Sequence, residues 1–214
     1  MARIGGWAAA VAGITGALGA AFLLAVPPAV PPDVFNYPLS PAAFVVVQAV
    51  FAAHHLLTAF ALWAFWRAGL AGRGRFADLS GWSAVVVMAL LGVWELVVIV
   101  GNGHPIPSEQ LAWIDAGYGT LSLLSGITLV LLGVAAARAR VLTGPSRWIA
   151  LAMGVWVFVP MLPALFASFL LGRIVIGLWL LLFAALGWAM LRWAGADAAP
   201  RRATADAAVG RSAS

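Results

Sequence analysis

Six stretches of about 20 apolar residues, each nearly free of charge, constrain the fold of this chain more than any other feature. A stretch of that length can cross the hydrocarbon core of a bilayer as an α-helix. The composition agrees, since 64% of the residues are hydrophobic and 9% are charged, against about 45–50% and about 25% in soluble domains. A water-soluble globular fold is therefore excluded.

The predicted fold is an all-α, polytopic transmembrane bundle of six helices, followed by a disordered cytoplasmic tail over residues 195–214. The spans are predicted at about residues 4–26, 41–66, 80–100, 111–137, 147–171 and 174–191. Ser40 and Pro41 suit the N-cap and first position of the second helix. A cleaved signal peptide is the alternative for the first stretch, but the stretch exceeds the usual apolar core of about 7–15 residues, so we expect it to be retained.

The basic residues predict the orientation of the bundle. All twelve are arginines, and every one except Arg173 falls on the same side of the six-span arrangement. Cytoplasmic loops carry the excess of positive charge, so both termini are predicted to be cytoplasmic, in the cell membrane. Arg173 is expected in a tight outer turn at 172–173. Although the net charge is +5, the arginines form no patch with interleaved aromatics, and no nucleic acid partner is expected.

Few polar side chains lie within the spans, and all the ionisable ones belong to spans two, three and four. The candidates are the polar Gln48 and the ionisable His54, His55, Glu95, Asp115 and Tyr118. Ionisable groups are costly in lipid and usually face a bundle interior or a cavity. The chain has no cysteine, which excludes thiol chemistry. No metal-ligand spacing occurs, and neither a metal nor a cofactor is predicted.

Glu95 is the candidate catalytic acid, at roughly 8–9 Å below the outer boundary. A carboxylic acid kept protonated in an apolar site can donate a proton. Asp115 and His54 are predicted to assist it, and the alternative for Glu95 is a structural hydrogen bond or an ion pair with Arg173. Because His54 and His55 point about 100° apart on a helix, only one of them can join Glu95.

Several further residues are candidates for binding a substrate: Tyr118, His55 and the three tryptophans that lie deep in the spans, Trp94, Trp156 and Trp179. Aromatic faces can stabilise a cation. The row Asp115, Gly119, Ser122 and Gly126 lies along one helix face and is either the wall of a wet cavity or a helix contact. Pro160 and Pro163 are expected to kink span five.

One resemblance to a known family is carried by Trp94-Glu95 and, at the head of the next helix, Trp113-Ile114-Asp115. These segments resemble the small integral-membrane terpene cyclases of meroterpenoid pathways. The resemblance implies that Glu95 protonates an epoxide or olefin of an isoprenoid and that the resulting cation cyclises. It also implies seven spans and a second acid in a late helix, whereas this chain has six candidate spans and no acid in the sixth.

Three functions therefore stay open at this point. The first is a membrane enzyme that carries out acid-initiated chemistry on a lipid-soluble isoprenoid. The second is a proton-coupled carrier with Glu95, His54 and Asp115 as the proton path, which at 214 residues would call for a homodimer. The third is an accessory or structural membrane subunit, in which the polar residues only hold helices together.

Overall fold

The computed structural model describes the backbone of residues 1–212 and the side chains of residues 1–196. The helices are α1 (Ala2–Ala25), α2 (Pro41–Arg67), α3 (Arg75–Val97), α4 (Ala112–Ala139), α5 (Ile149–Trp156), α6 (Leu162–Ala167) and α7 (Phe169–Ser212). The predicted disordered cytoplasmic tail over 195–214 lies almost wholly outside the described side chains and stays a prediction. Within the described residues, the only β structure is a single bridge between Val34 and Pro105.

Six helical segments are long and apolar enough to cross a membrane, as the sequence predicted: Ala2–Ala25, Pro41–Arg67, Arg75–Gly101, Glu109–Ala139, Gly144–Ala167 and Phe169–Ala196. Their number and apolar character indicate a multi-pass membrane protein. Each of the six segments packs against the next along the chain, and α1 closes the ring by packing along α7. We call the end with the loops 26–40 and 98–111 the capped end. The opposite end, where most of the arginines lie in loops or at helix ends, is the arginine end.

The fifth segment is irregular at the predicted prolines. Between α5 and α6 the chain forms a π-helical turn over Val157–Met161 that contains Pro160, and Pro163 follows in the first turn of α6. Proline cannot donate to the carbonyl four residues earlier, so the regular ladder breaks at this point. The interruption leaves Val157 and Met161 facing the interior of the ring.

The last connection differs from the prediction. The chain turns at Ser168, which has extended backbone angles, and not at 172–173. The Oγ of Ser168 accepts a hydrogen bond from the backbone N–H of Leu171, at 3.2 Å, as an N-cap residue does. Consequently Arg173 lies in the first turns of α7 instead of in an outer loop. The third helix also begins earlier than predicted, at Arg75 instead of residue 80.

Glycines bring the helices together in the half of the bundle nearest the arginine end. A Cβ added at Gly13 would collide with the backbone of Ala184 on α7, and one at Gly133 would collide with the backbone of Leu151 on α5. Close backbone approach of this kind is how small residues pack membrane helices. Fully buried side chains fill this half, including Leu62, Phe65, Met88, Leu132, Phe183 and Leu186.

The two loops at the capped end pair with each other. The backbone N–H of Phe35 donates to the His104 carbonyl at 2.9 Å, and that of Ile106 donates to the Asp33 carbonyl at 2.7 Å. Asn36 is fully buried and accepts a hydrogen bond from the Gly103 N–H at 2.9 Å. The loops therefore form an ordered cap over the half of the ring that the core side chains leave unfilled.

Candidate functional site

A cavity of about 460 Å³ lies under this cap, at the capped half of the bundle. Residues from all six spans line it, together with Phe35, Tyr37 and Leu39 of the first loop. Its volume falls in the range of about 300–1,000 Å³ that small-molecule sites occupy. The cavity is mainly apolar, and its charged or titratable side chains from the helices are His54, His55, Glu95, Asp115, Tyr118 and Arg173.

Glu95 is the acid on the cavity wall with the least exposure, since only 6% of its surface is accessible. Its Oε2 accepts a hydrogen bond from the hydroxyl of Tyr118 at 2.7 Å. The Nε2 of Gln48 lies 3.5 Å from that hydroxyl and donates to it. The three side chains come from α3, α4 and α2, so the carboxyl is held by a short polar chain across three helices.

The second oxygen of Glu95 faces a histidine. Oε1 lies 3.6 Å from Nδ1 of His55, too far for a good hydrogen bond. That nitrogen also lies 2.8 Å from the Phe51 carbonyl, which can only accept, so it carries a proton. Because Oε2 already accepts from Tyr118, a proton on a neutral Glu95 carboxyl would sit on Oε1. Oε1 is therefore the position from which Glu95 would donate a proton.

His54 is turned away from Glu95. Its Nε2 donates to the Ala12 carbonyl on α1 at 2.8 Å, and its ring meets the ring of His55 edge-on at 5.5 Å. Gly16 on α1 leaves the space for this imidazole, because a Cβ there would lie 2.5 Å from His54 Nε2. Both histidines line the cavity, but the one beside Glu95 is His55, whereas the sequence analysis placed His54 with the catalytic acid.

Asp115 lies at the exposed mouth of the cavity, one helical turn before Tyr118. The sequence left open whether the residues that follow Asp115 on the same face of α4 form a cavity wall or a helix contact, and both roles occur. Ser122 lines the cavity, whereas Gly126 is in contact with Phe158 of the fifth segment. Gly119 is exposed, with no atom near enough to meet an added Cβ.

The three deep tryptophans occupy different environments. Trp179 lines the cavity and donates from Nε1 to the Met153 carbonyl at 2.9 Å. Trp156 donates to the Val175 carbonyl and Trp94 packs on Gly117 and edge-on against Trp113, so neither of them lines the cavity. The indole of Trp94 thus packs α3 against α4 instead of facing a ligand.

Arg173 was predicted in an outer turn, as an alternative ion-pair partner of Glu95, and its place in the cavity wall was missed. Its guanidinium carbon lies 5.1 Å from the centre of the Phe169 ring, and the residue lines the cavity. No ion pair within 4.0 Å joins Arg173 to Glu95 or to any other described acid, so the two groups attract each other only at longer range. Of the two alternatives predicted for Glu95, the hydrogen bond is the one present at short range, from Tyr118. Phe35 and Tyr37 were also missed, although phenylalanine is among the residues most often buried.

No cluster of three or more His, Asp or Glu side chains suited to a metal ion occurs within the described part of the chain. No protein-family model matches the chain, and no curated protein or solved structure is significantly similar to it. The function must therefore be argued from the cavity and its side chains alone.

The hydrogen bond between Tyr118 and Glu95 can be tested by stability. Tyr118→Phe is expected to lower the free energy of unfolding by about 1–3 kcal/mol, since it removes the hydrogen bond to Glu95 and the one from Gln48. The measurement is reversible unfolding in mixed micelles, with Tyr37→Phe as the control, because the Tyr37 ring packs on Phe169 and its hydroxyl bonds to no described residue. In a double-mutant cycle with Glu95→Leu, which removes the acceptor of this bond, additive losses would contradict the bond.

Proposed function

We propose that the protein is an integral membrane enzyme that binds a lipid-soluble isoprenoid in the capped cavity and starts its rearrangement by proton transfer from Glu95. One observation carries this proposal: a nearly inaccessible carboxyl group, held on one oxygen by Tyr118, faces an apolar cavity of about 460 Å³. The weak resemblance to membrane terpene cyclases points to the same chemistry. In this proposal the bundle lies in the cell membrane, with both termini in the cytoplasm and the capped end outside.

The composition of the cavity wall supports cation chemistry. Aromatic rings surround the space on several sides, contributed by Phe35, Tyr37, Phe44, Phe51, Tyr118, Phe169 and Trp179. The faces of such rings stabilise positive charge, by about 0.5–2 kcal/mol each, and they offer no nucleophile as strong as water. An isoprenoid cation formed here would be held among rings and aliphatic side chains until it cyclises.

The proposed reaction is an isomerisation. The proton on Oε1 of Glu95 moves to an epoxide oxygen or to an olefin carbon of the substrate, which leaves a carbocation and the Glu95 carboxylate. A neighbouring double bond attacks the cation and forms a carbon–carbon bond. A carbon next to the final cation then loses a proton to the carboxylate, so product and substrate have the same mass. Tyr118, which already donates to Oε2, stabilises the carboxylate in the interval.

The proposal is tested with the purified protein in lipid nanodiscs. The probes are a farnesyl-substituted phenol and its terminal epoxide, and the products are separated by liquid chromatography and mass spectrometry. We expect new cyclic products of unchanged mass from at least one probe. If a probe crosses the membrane of proteoliposomes unaltered and no isomer forms, the result supports the carrier alternative and contradicts the proposal.

A further inference from the structure

The cavity contains an arginine that no described acid pairs with at short range. Arg173 projects from α7 into the space, and no acid in the described side chains lies within 4.0 Å of its guanidinium. The guanidinium carbon lies 5.1 Å from the centre of the Phe169 ring, a cation–π contact that uses none of its N–H donors. Five N–H donors in a planar fork are thus presented at the capped end of an apolar site.

A guanidinium in an apolar cavity is costly unless an anion pairs with it. The two acids of the cavity wall, Glu95 and Asp115, do not form a close ion pair with Arg173. Glu95 accepts from Tyr118 on Oε2 and faces His55 with Oε1, so it acts on Arg173 only at longer range, and Asp115 is an exposed side chain at the mouth. The two histidines of the cavity are either neutral or positively charged, so they cannot balance the charge of Arg173. The missing anion is therefore expected to arrive with the ligand.

We infer that the ligand of this cavity is an anionic amphiphile, whose carboxylate or phosphate pairs with Arg173 while its apolar chain lies against the aromatic wall. This inference rests on the proposed function, because it names the substrate class of the same site. It also removes a difficulty of that function, since an unpaired arginine would repel the carbocation that the aromatic wall is proposed to stabilise. A carboxylate or phosphate of the bound ligand neutralises the charge of Arg173.

The test compares farnesoic acid with methyl farnesoate, which share a carbon chain and differ in charge. Farnesyl monophosphate and inorganic phosphate complete the set, to distinguish the two anions and to show whether the chain is needed. Binding is followed in nanodiscs through the fluorescence of the tryptophans, one of which, Trp179, lines the cavity. We expect the acid or the phosphate ester to bind about 10- to 100-fold more tightly than the methyl ester.

Substitutions at two arginines of the same helix complete the experiment. Arg173→Gln is expected to abolish the preference for the anion, and Arg173→Lys to keep part of it, because a lysine retains the charge but not the planar fork. Arg192→Gln removes the same charge at an exposed position near the arginine end and is expected to change nothing. Equal binding of acid and ester by the wild-type protein, or an unchanged preference in Arg173→Gln, would overturn the inference.

Failure of the inference and failure of the proposed function give different results. If the anionic probes bind through Arg173 and no probe is isomerised, the inference stands and the enzyme proposal falls. If the neutral farnesylated probes are isomerised and the wild-type protein binds the acid and the methyl ester equally, the enzyme proposal stands and the inference falls.

Discussion

Glu95→Gln is expected to reduce isomerisation of a farnesylated probe by about 10²–10⁴-fold, the usual contribution of a positioned acid. Glutamine has nearly the same shape as glutamate and can still accept the hydrogen bond from Tyr118 through its amide oxygen. It cannot transfer a proton at the amide position. The loss should therefore appear in the rate of the chemical step, whereas the affinity for the probe and the yield of folded protein should stay close to those of the wild-type protein.

The matched control for this experiment is Glu109→Gln. Glu109 is an exposed acid at the start of the fourth segment, and its replacement makes the same substitution away from the cavity. We expect wild-type activity from this variant. Retained turnover in Glu95→Gln would show that the acid is a structural hydrogen-bond acceptor, and an equal loss in both variants would show that the effect does not come from the cavity.

Gly13→Ala is expected to destabilise the bundle by about 1–3 kcal/mol, the usual cost of adding a methyl group to a packed interior. The new Cβ would collide with the backbone N–H of Ala184, 2.7 Å from the Leu180 carbonyl oxygen and 2.8 Å from the Ala184 Cβ. All of these atoms belong to α7 or are fixed to its backbone, so none can rotate away. The helices α1 and α7 would have to separate.

Gly119→Ala makes the same chemical change at a position where an added Cβ meets nothing within 4 Å. Because alanine is a better helix former than glycine, this variant is expected to gain up to about 1 kcal/mol of stability. The pair is measured by reversible unfolding in mixed micelles. Opposite signs for the two variants support the close packing of α1 on α7, and two stabilised variants would contradict it.

The number and type of the helices could be predicted from the sequence because each depends on a local property. Twenty consecutive apolar residues need no tertiary information to be recognised as a candidate span. Pro160 and Pro163 likewise mark the irregular turn in the fifth segment, since the missing N–H breaks the ladder wherever it occurs. The cap over the cavity could not be foreseen, because it depends on pairing between two loops far apart in the chain.

The candidate site was predicted in part, for the same physical reason. Glu95, Tyr118 and Asp115 are conspicuous as polar residues in apolar spans, and the cavity joins them. Rotation of α2 about its axis decides which histidine faces Glu95, and the sequence leaves this rotation undetermined. Arg173 was assigned to a turn because Gly172 precedes it, whereas Ser168 supplied the better N-cap four residues earlier.

The central claim, that Glu95 is a protonated acid open to a lipophilic ligand in this cavity, is tested most directly by labelling with dicyclohexylcarbodiimide. This apolar reagent reacts with protonated carboxyl groups, and mass spectrometry of peptides locates the product. We predict that Glu95 is labelled, that the exposed Glu109 and Asp115 are labelled far less, and that a saturating farnesyl ligand protects Glu95. An unlabelled Glu95, or labelling that the ligand leaves unchanged, would contradict the account.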